Sequence, residues 1–276
     1  MKSAGDSAVP LITLAIGGDA LNKLEWSAWN RVTLEPGADG APEVRMGLRM
    51  VSGLAEAQGR AIEEQRATRG PYADVDELAH RINLPRRSME LLARAGALAT
   101  LAGHRRSAHW GAIGIESLPG VLAGTSARER PLGLAAPTEG EDIVSDYRGM
   151  GLTLGRHPLA LLRGKLNRLK TYRATDLATL KSGLKIRVAG IVTHRQRPET
   201  ASGVIFMSLE DETGLSNLIV WPSVQHSQRE AVFGARLMVV EGELQSELGV
   251  IHVIAQKIRD YSHWLGRVPV ESRDFR

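Results

Sequence analysis

The feature that most limits the fold of this chain is a change in hydrophobic period near residue 183. Before that point, apolar residues recur at helical spacing, as in LALLRGKLNRL (159–169). After it they alternate with polar residues, as in LKIRVAGIVTHR (184–195), which is the period of a half-buried strand. The chain is therefore expected to fold as a modular α+β protein in which a helical part precedes a β part.

The β part is predicted to contain five strands, with one short helix between the third and the fourth. The strands are expected at 184–195, 204–211, 215–221, 235–244 and 249–258, and the helix at 222–232 after a proline. This order is that of an OB-fold, a five-stranded Greek-key barrel that often binds single-stranded nucleic acid. We assign the barrel to residues 183–262 and a C-terminal tail to residues 263–276.

Turn and cap residues divide the helical part. The run AEAQGRAIEEQRAT (55–68) is rich in helix formers and ends at an Arg-Gly-Pro stop. Asp74 is expected to cap a second helix, with Glu77 three residues later as in a capping box. Pro85 and Gly96 are expected to begin and end a third helix. The domains assigned are an N-terminal segment (1–42), a helix-hairpin-helix module (43–110) and a linker with a basic connector (111–182).

The net charge of +4 is unevenly distributed along the chain. Residues 147–187 contain 10 basic residues and 1 acidic residue. Such a surplus is typical of a phosphate-binding surface, but a solvated basic helix packed on an acidic neighbour has the same composition. The candidate phosphate-contacting residues are Arg60, Arg66, Arg86 and Arg87 in the helical module and Arg163, Lys165, Arg168 and Lys170 in the connector.

The segment VSGLA (51–55) leads directly into a helix and is the candidate hairpin. A tight glycine turn presents backbone N–H groups, and the following helix N-terminus adds its dipole, so that a DNA phosphate is held without reading a base. Gly53, Leu54 and Ala55 are the residues in question, although Ala55 stands where a second glycine is usual. An ordinary glycine turn between two helices is the alternative.

The barrel offers a second candidate surface. Positive side chains near the first strand would follow a nucleic-acid backbone, and aromatic rings on the next two strands would stack on unpaired bases. The residues are Arg187, His194, Arg195, Arg197, Phe206 and Trp221. The two aromatic residues lie in apolar strands, so a position in the core is the alternative for both.

No catalytic site is predicted. Asp74 and Asp76 are explained by helix capping, and Glu210, Asp211 and Glu212 lie where a strand meets a turn. The chain has no Cys, which excludes disulfides and cysteine-ligated zinc and fits a reducing cytoplasm. No apolar run approaches the roughly 20 residues of a membrane span.

Several strings together resemble a known family. GLRMVSGLAEAQGRAIEEQRATRGPYADVDELAHR (47–81) and LLARAGAL (91–98) resemble the helix-hairpin-helix region of DnaE-type bacterial DNA polymerases. DYRGMGLTLGRHPLALLRGKL (146–166), VAGIVTHRQRPETASGVIFMSLEDETGLSNLIVWPSV (188–224) and SRDFR (272–276) resemble the connector, OB domain and terminus of the error-prone branch, called ImuC. The resemblance covers about residues 27–276, and residues 1–26 do not resemble the sequence expected upstream.

The resemblance implies the C-terminal, DNA-handling part of an error-prone polymerase that acts in translesion synthesis within the SOS response. It implies DNA as ligand, both single-stranded and primer-template, and ImuA, ImuB and, through ImuB, the sliding clamp as partners. The palm aspartates that hold magnesium would precede residue 27. The chain alone is therefore expected to carry no cofactor and not to polymerise DNA.

Two other functions remain open. The chain could be a protein-interaction tail whose barrel docks a partner such as ImuB. It could also be an RNA-binding OB module, although no synthetase catalytic motif accompanies it.

Overall fold

The computed structural model divides the chain into two compact units, residues 1–155 and 156–276. It describes residues 13–15, 29, 33–36, 42–115, 133–199, 202–247, 249–269 and 272–274. The segment 111–182, expected to be a linker and connector, is shared between the units, because its helices pack separately on either side of residue 155. Most of the N-terminal segment 1–42 lies outside the described residues.

The first unit combines a small sheet with six helices among its described residues. Its strands, in the order β1-β3-β2, are β1 (Thr13–Ala15), β2 (Thr33–Pro36) and β3 (Pro42–Arg45). Its helices are α1 (Glu56–Arg69), α2 (Val75–Ile82), α3 (Arg86–Arg94), α4 (Ala99–Ala102), α5 (Arg105–Gly114) and α6 (Glu139–Met150).

The helix boundaries follow the caps that the sequence contains. The Asp74 carboxylate accepts a 2.8 Å hydrogen bond from the Glu77 N–H at the start of α2. Glu77 in turn accepts from the Ala73 N–H at 2.6 Å. Thr138 and Glu141 form a capping box at the start of α6. The predicted second and third helices are thus confirmed, whereas α6 occupies a segment that we expected to be a linker.

The core of the first unit is built around closely approaching helices. Met89, Leu92 and Leu98 are fully buried in it. Gly149 of α6 lies so close to α3 that a Cβ there would be 3.1 Å from the Ala95 Cα.

One partly buried arginine joins helices α5 and α6. The Arg105 guanidinium donates to the Asp142 carboxylate at 2.8 Å and to the buried Asp146 carboxylate. A Cβ on Gly96 would lie 2.6 Å from the Arg105 Nη2, so this position has no room for a larger residue. Gly96 also has φ +78°, which favours glycine at the predicted helix end.

The second unit is a closed five-stranded barrel. Its strands are β4 (Lys185–Gln196), β5 (Ile205–Asp211), β6 (Gly214–Val220), β7 (Leu237–Glu247) and β8 (Val250–Asp260). The order is β5-β6-β8-β7-β4, and β4 also pairs with β5, which closes the barrel. Helices α8 (Pro222–Ser227) and α9 (Arg229–Gly234) connect the third and fourth barrel strands. The prediction of an OB-fold after a helical module is confirmed.

Helix α7 (Pro158–Arg168) packs on the barrel through a buried ion pair. The Arg163 guanidinium donates to both Glu212 carboxylate oxygens, at 2.5 and 2.7 Å, and lies 3.4 Å from the Asp211 carboxylate. Asp211 also accepts from the N–H groups of Thr213 and Gly214 in the β5–β6 turn. The acidic cluster at this turn therefore holds the connector helix in place.

Candidate nucleic-acid interface

Strand pairing aligns outward-facing side chains of four barrel strands into rows. Along β5, buried residues alternate with partly exposed Phe206, Ser208 and Glu210. Phe206 is paired with Gln196 of β4 on one side and with Ile219 of β6 on the other. Ile219 is paired with Ile254 of β8. We call Gln196, Phe206, Ile219 and Ile254 the stacking row, because its centre is aromatic and aliphatic and none of its members is charged.

Trp221 extends this surface at the end of β6. It follows Ile219 by two residues in extended backbone, which places it on the same outward side. Its side chain is 50% exposed, so the alternative of a core position is excluded for this residue. Phe206 is half-buried and lies on the outer face of the sheet. Two rings are therefore available for stacking on unpaired bases.

A positive charge lies beside this corner of the barrel. The Gln225 amide donates to Gly203 O and to Val220 O, both at 2.8 Å, and ties α8 to the β4–β5 loop. A Cβ on Gly203 would lie 3.5 Å from Arg197 Nη2 and 3.7 Å from Pro222 Cγ. The exposed Arg197 guanidinium thus lies next to the turn that carries Trp221. It could pair with the phosphate of a strand whose bases lie on the stacking row.

Arg195 does not belong to this surface, contrary to the prediction. Only 3% of it is exposed, and its guanidinium donates to Val232 O, Ala235 O and the Asp274 carboxylate. Asp274 belongs to the short strand β9 (Arg273–Asp274), which pairs with β4. The reason is that Arg195 occupies a buried position of β4, where backbone carbonyls of the α9 region accept from its guanidinium. Arg195 therefore anchors the C-terminal residues to the barrel.

The other two predicted cations of the first barrel strand are less accessible than expected. Arg187 is ion-paired with Glu241 at 3.3 Å and donates to Leu169 O at 3.2 Å. His194 is half-buried, and its Nδ1 lies 3.1 Å from the Thr193 hydroxyl.

Of the four cations predicted in the connector, three are exposed and one is buried. Arg163 is 7% exposed and engaged with the acidic turn, so it is a structural residue and not the surface cation that was predicted. Lys165, Arg168 and Lys170 are exposed. The Lys165 ammonium lies 5.4 Å from the centre of the Trp264 ring. The basic composition of this segment thus reflects both alternatives, a packed helix and an exposed positive surface.

The hairpin is a tight glycine turn that leads directly into helix α1. Gly53 has φ +84° and is exposed, and the Leu54 N–H closes the turn on Val51 O at 3.2 Å. The Leu54 side chain is buried, so it anchors the hairpin to the core. Ala55 is the N-cap of α1 and provides no side-chain cap. No N-cap side chain therefore covers the N–H groups of Glu56 and Ala57, whereas the Gln58 N–H donates to Ala55 O at 3.0 Å.

The predicted arginines of the helical module differ in their surroundings. Arg60 pairs with Glu56 at 2.6 Å, and Arg86 pairs with Glu90 at 3.0 Å, both on exposed helix surfaces. Arg87 is exposed. Arg66 is 9% exposed and lies beside the buried Tyr72, so it is not part of an exposed surface. Burial raises the pKa of Tyr72 to about 12, and its hydroxyl donates to Ile62 O at 2.7 Å.

Several outward-facing residues of the barrel were not predicted. Ile219, Ile254, Asn217 and His252 become neighbours of Phe206 or Ser208 only through the β5–β6–β8 register. The alternating pattern indicates which side of a strand they occupy but not which strands are adjacent. Across the described ranges, no group of three or more His, Asp or Glu could hold a metal ion, and no helix is long and apolar enough to cross a membrane.

Comparison with protein families gives two matches. Residues 23–108 match the family described as a helix-hairpin-helix motif. Residues 186–261 match the family described as an OB-fold nucleic acid binding domain. The first match includes the hairpin and helices α1 to α4, and the second includes the five barrel strands from residue 186 onward.

Relatives of this chain carry the name error-prone DNA polymerase. The protein of that name from Alkalilimnicola ehrlichii is 48% identical over 239 residues, covering 86% of this chain and 23% of the relative. That from Azoarcus sp. is 46% identical over 254 residues, covering 90% of this chain and 24% of the relative. The chain thus spans about a quarter of the length of these relatives.

Solved structures give only a weak likeness. An asparaginyl-tRNA synthetase from Pyrococcus horikoshii is 22% identical, covering 33% of this chain and 22% of that chain, with a TM-score of 0.29.

Proposed function

Because this chain is related over about nine tenths of its length to error-prone DNA polymerases, with 46–48% identity in two of them, we propose that it is a DNA-binding part of such a polymerase. In this proposal it is the C-terminal part. The hairpin contacts duplex phosphates and the barrel guides the single-stranded template. The chain has no catalytic step and no metal of its own.

The observation that carries the proposal is the outer face of the barrel. Phe206 and Trp221 provide two rings on an uncharged stacking row, and Arg197 lies at its rim. Unpaired bases stack on such rings while cations contact the backbone, whereas a paired base has no free face to offer. The barrel is therefore suited to a single strand.

The hairpin supports contact with the duplex. A positive-φ glycine and an uncapped helix N-terminus present N–H groups to solvent, and such groups bind phosphate irrespective of sequence. Sequence-independent contact is what a polymerase requires of the duplex that it has just copied. Translesion synthesis, the SOS response and the partners ImuA, ImuB and the sliding clamp remain proposals that rest on the family resemblance.

A second candidate function is protein docking by the barrel. Leu215 and Val250 are 58% and 51% exposed. They precede by two residues the paired Asn217 and His252, at the opposite end of the same outer face from Trp221. An exposed apolar pair of this kind favours a protein partner such as ImuB.

The test is the affinity of the full chain for a single-stranded oligonucleotide of roughly 20 nucleotides, longer than the site of one OB fold. Phe206→Ala and Trp221→Ala should each weaken binding by roughly 5- to 150-fold, since stacking is worth about 1–3 kcal/mol per base. Trp110→Ala is the matched control, because Trp110 is an equally exposed tryptophan of the first unit.

Unchanged affinity in both barrel variants would refute the barrel as the strand-binding surface. Raising the salt concentration should lower log K with a slope of about −0.7 per phosphate contact. Affinity for ImuB without affinity for any oligonucleotide would favour the docking function, and a preference for structured RNA would favour an RNA-binding module.

A further inference from the structure

A second row of side chains runs beside the stacking row on the same face of the barrel. His194 is paired with Ser208, Ser208 with Asn217, and Asn217 with His252. All four are partly or fully exposed and uncharged or weakly basic. We call these residues the polar row. It lies two residues along the strands from the stacking row, a distance of about 7 Å.

The polar row has unused hydrogen-bonding capacity. Ser208 Oγ donates to Asn217 Oδ1 at 3.3 Å. This contact leaves one lone pair on Asn217 Oδ1, and its amide nitrogen has no acceptor within the described part of the chain. The His252 Nδ1 is buried and has no hydrogen-bond partner in the same part of the chain. The Asn217 side chain therefore has an amide N–H donor without a partner beside an Oδ1 atom that can accept a second hydrogen bond.

We propose that the polar row contacts the edges of unpaired bases that stack on the neighbouring row, so that the barrel prefers adenine through Asn217. This inference rests on the proposed function, because it requires a strand on the outer face. An asparagine amide matches the adjacent N6–H donor and N7 acceptor of adenine. His194 and Ser208 contribute further donors and acceptors along the row.

The experiment compares the full chain with its Asn217→Leu variant on oligo-dA, oligo-dT and oligo-dC of equal length and at one salt concentration. Leucine keeps the branched shape and the number of heavy atoms of asparagine and removes both hydrogen-bonding groups. The ratio of oligo-dA affinity to oligo-dT affinity should be roughly 5- to 150-fold higher in wild type than in Asn217→Leu. This is the range for one bidentate base contact. Comparing the two proteins cancels differences in how the free strands stack on themselves, because both proteins bind the same oligonucleotides.

Asn167→Leu is the matched control, because Asn167 is an exposed asparagine of the connector helix outside the barrel face. It should leave the preference among oligonucleotides unchanged. A variant in which the whole barrel is destabilised would lose affinity for all three strands alike, so the ratio separates loss of recognition from loss of folding.

An oligo-dA to oligo-dT affinity ratio that is the same in wild type and in Asn217→Leu would overturn the inference while leaving the proposed function intact. A larger loss of affinity in Asn217→Leu for oligo-dT or oligo-dC than for oligo-dA would overturn the assignment to adenine. Absence of binding to any strand would refute the proposed function itself.

Discussion

The effect of replacing a glycine in this protein depends on the side chains that surround it. Gly59 of α1 faces Trp29, and a Cβ there would lie 2.1 Å from the Trp29 Cε3. Gly164 of α7 is exposed, and a Cβ there would meet nothing within 4 Å. Both glycines lie inside helices, where glycine is unfavourable in itself. The same substitution should therefore have opposite effects at the two positions.

Gly164→Ala should raise the free energy of unfolding of the barrel unit by about 0.5–1 kcal/mol, the helix propensity gained. Gly59→Ala should lower the free energy of unfolding of the first unit by about 1–3 kcal/mol, because the Trp29 indole ring must move. Urea unfolding followed by circular dichroism measures both. Stabilisation by Gly59→Ala would show that Trp29 does not pack on α1.

The uncapped start of α1 gives a test of the hairpin. Ala55→Asp should stabilise the helical unit by about 0.5–2 kcal/mol, because aspartate is a favourable N-cap. It should also weaken binding to blunt duplex DNA, because its carboxylate occupies the N–H groups that would meet a phosphate.

Glu56→Gln, which removes a negative charge one residue later, should strengthen duplex binding and serves as the opposite control. If Ala55→Asp stabilises the protein and duplex affinity does not change, the turn is an ordinary connection between helices.

At the level of elements, helix α7 is fixed to the barrel by more than its leucines. Arg163 pairs with the acidic β5–β6 turn, and His157 precedes the helix, where its Nδ1 accepts from the Leu159 N–H at 3.2 Å. Burial lowers the pKa of His157, and this effect outweighs the opposing attraction of Glu210, whose carboxylate lies 3.9 Å away. The start of the connector helix is therefore sensitive to acid.

His157 should make the barrel unit less stable as pH falls below about 6.5, the ordinary histidine pKa. In that range His157 binds a proton more readily in the unfolded chain than in the folded chain. Protonation therefore favours the unfolded state and lowers the free energy of unfolding. His157→Asn should reduce this loss, since asparagine also caps a helix but does not titrate.

Hydrogen exchange of the amides in 205–220 at pH 8 and pH 5.5 measures the effect in the full chain. His226→Asn, at an exposed histidine of α8, is the control. Equal acid sensitivity of wild type and His157→Asn would contradict the assignment.

At the scale of the whole molecule, the two units differ in net charge and in the part proposed to bind DNA, which is the hairpin in the first unit and the barrel face in the second. Residues 1–155 contain 17 basic and 19 acidic residues, and residues 156–276 contain 18 and 12. The excess positive charge thus belongs to the unit with the barrel. A positive unit attracts a single strand over a longer range, whereas the hairpin depends on local N–H groups in a unit with no excess positive charge.

A duplex with a single-stranded overhang should therefore bind at least tenfold more tightly than a blunt duplex or a single strand of the same length. Occupation of one site raises the effective concentration of DNA at the other. Fluorescence anisotropy under equal salt measures the three affinities.

Trp221→Ala should reduce the advantage of the overhang without changing the affinity for the blunt duplex. If the three DNA forms bind equally well, the two units do not act on one substrate.

The sequence by itself determined the elements of this protein and the kinds of surface it could form. Periodicity separated helices from strands, because it reflects which side of each element is buried, and local caps such as Asp74 set helix ends through hydrogen bonds within one turn. The order of strands and helix along the sequence was also sufficient to predict the OB-fold.

Only the tertiary structure decided which charges are free and which residues are neighbours. Arg163 and Arg195 look like surface cations in the sequence, yet both are buried and bound by carboxylates and carbonyls far along the chain. The stacking row likewise exists only because β6 pairs with β8 in one register. Contacts between residues distant in sequence depend on how elements pack, and no local pattern of residue types records that packing.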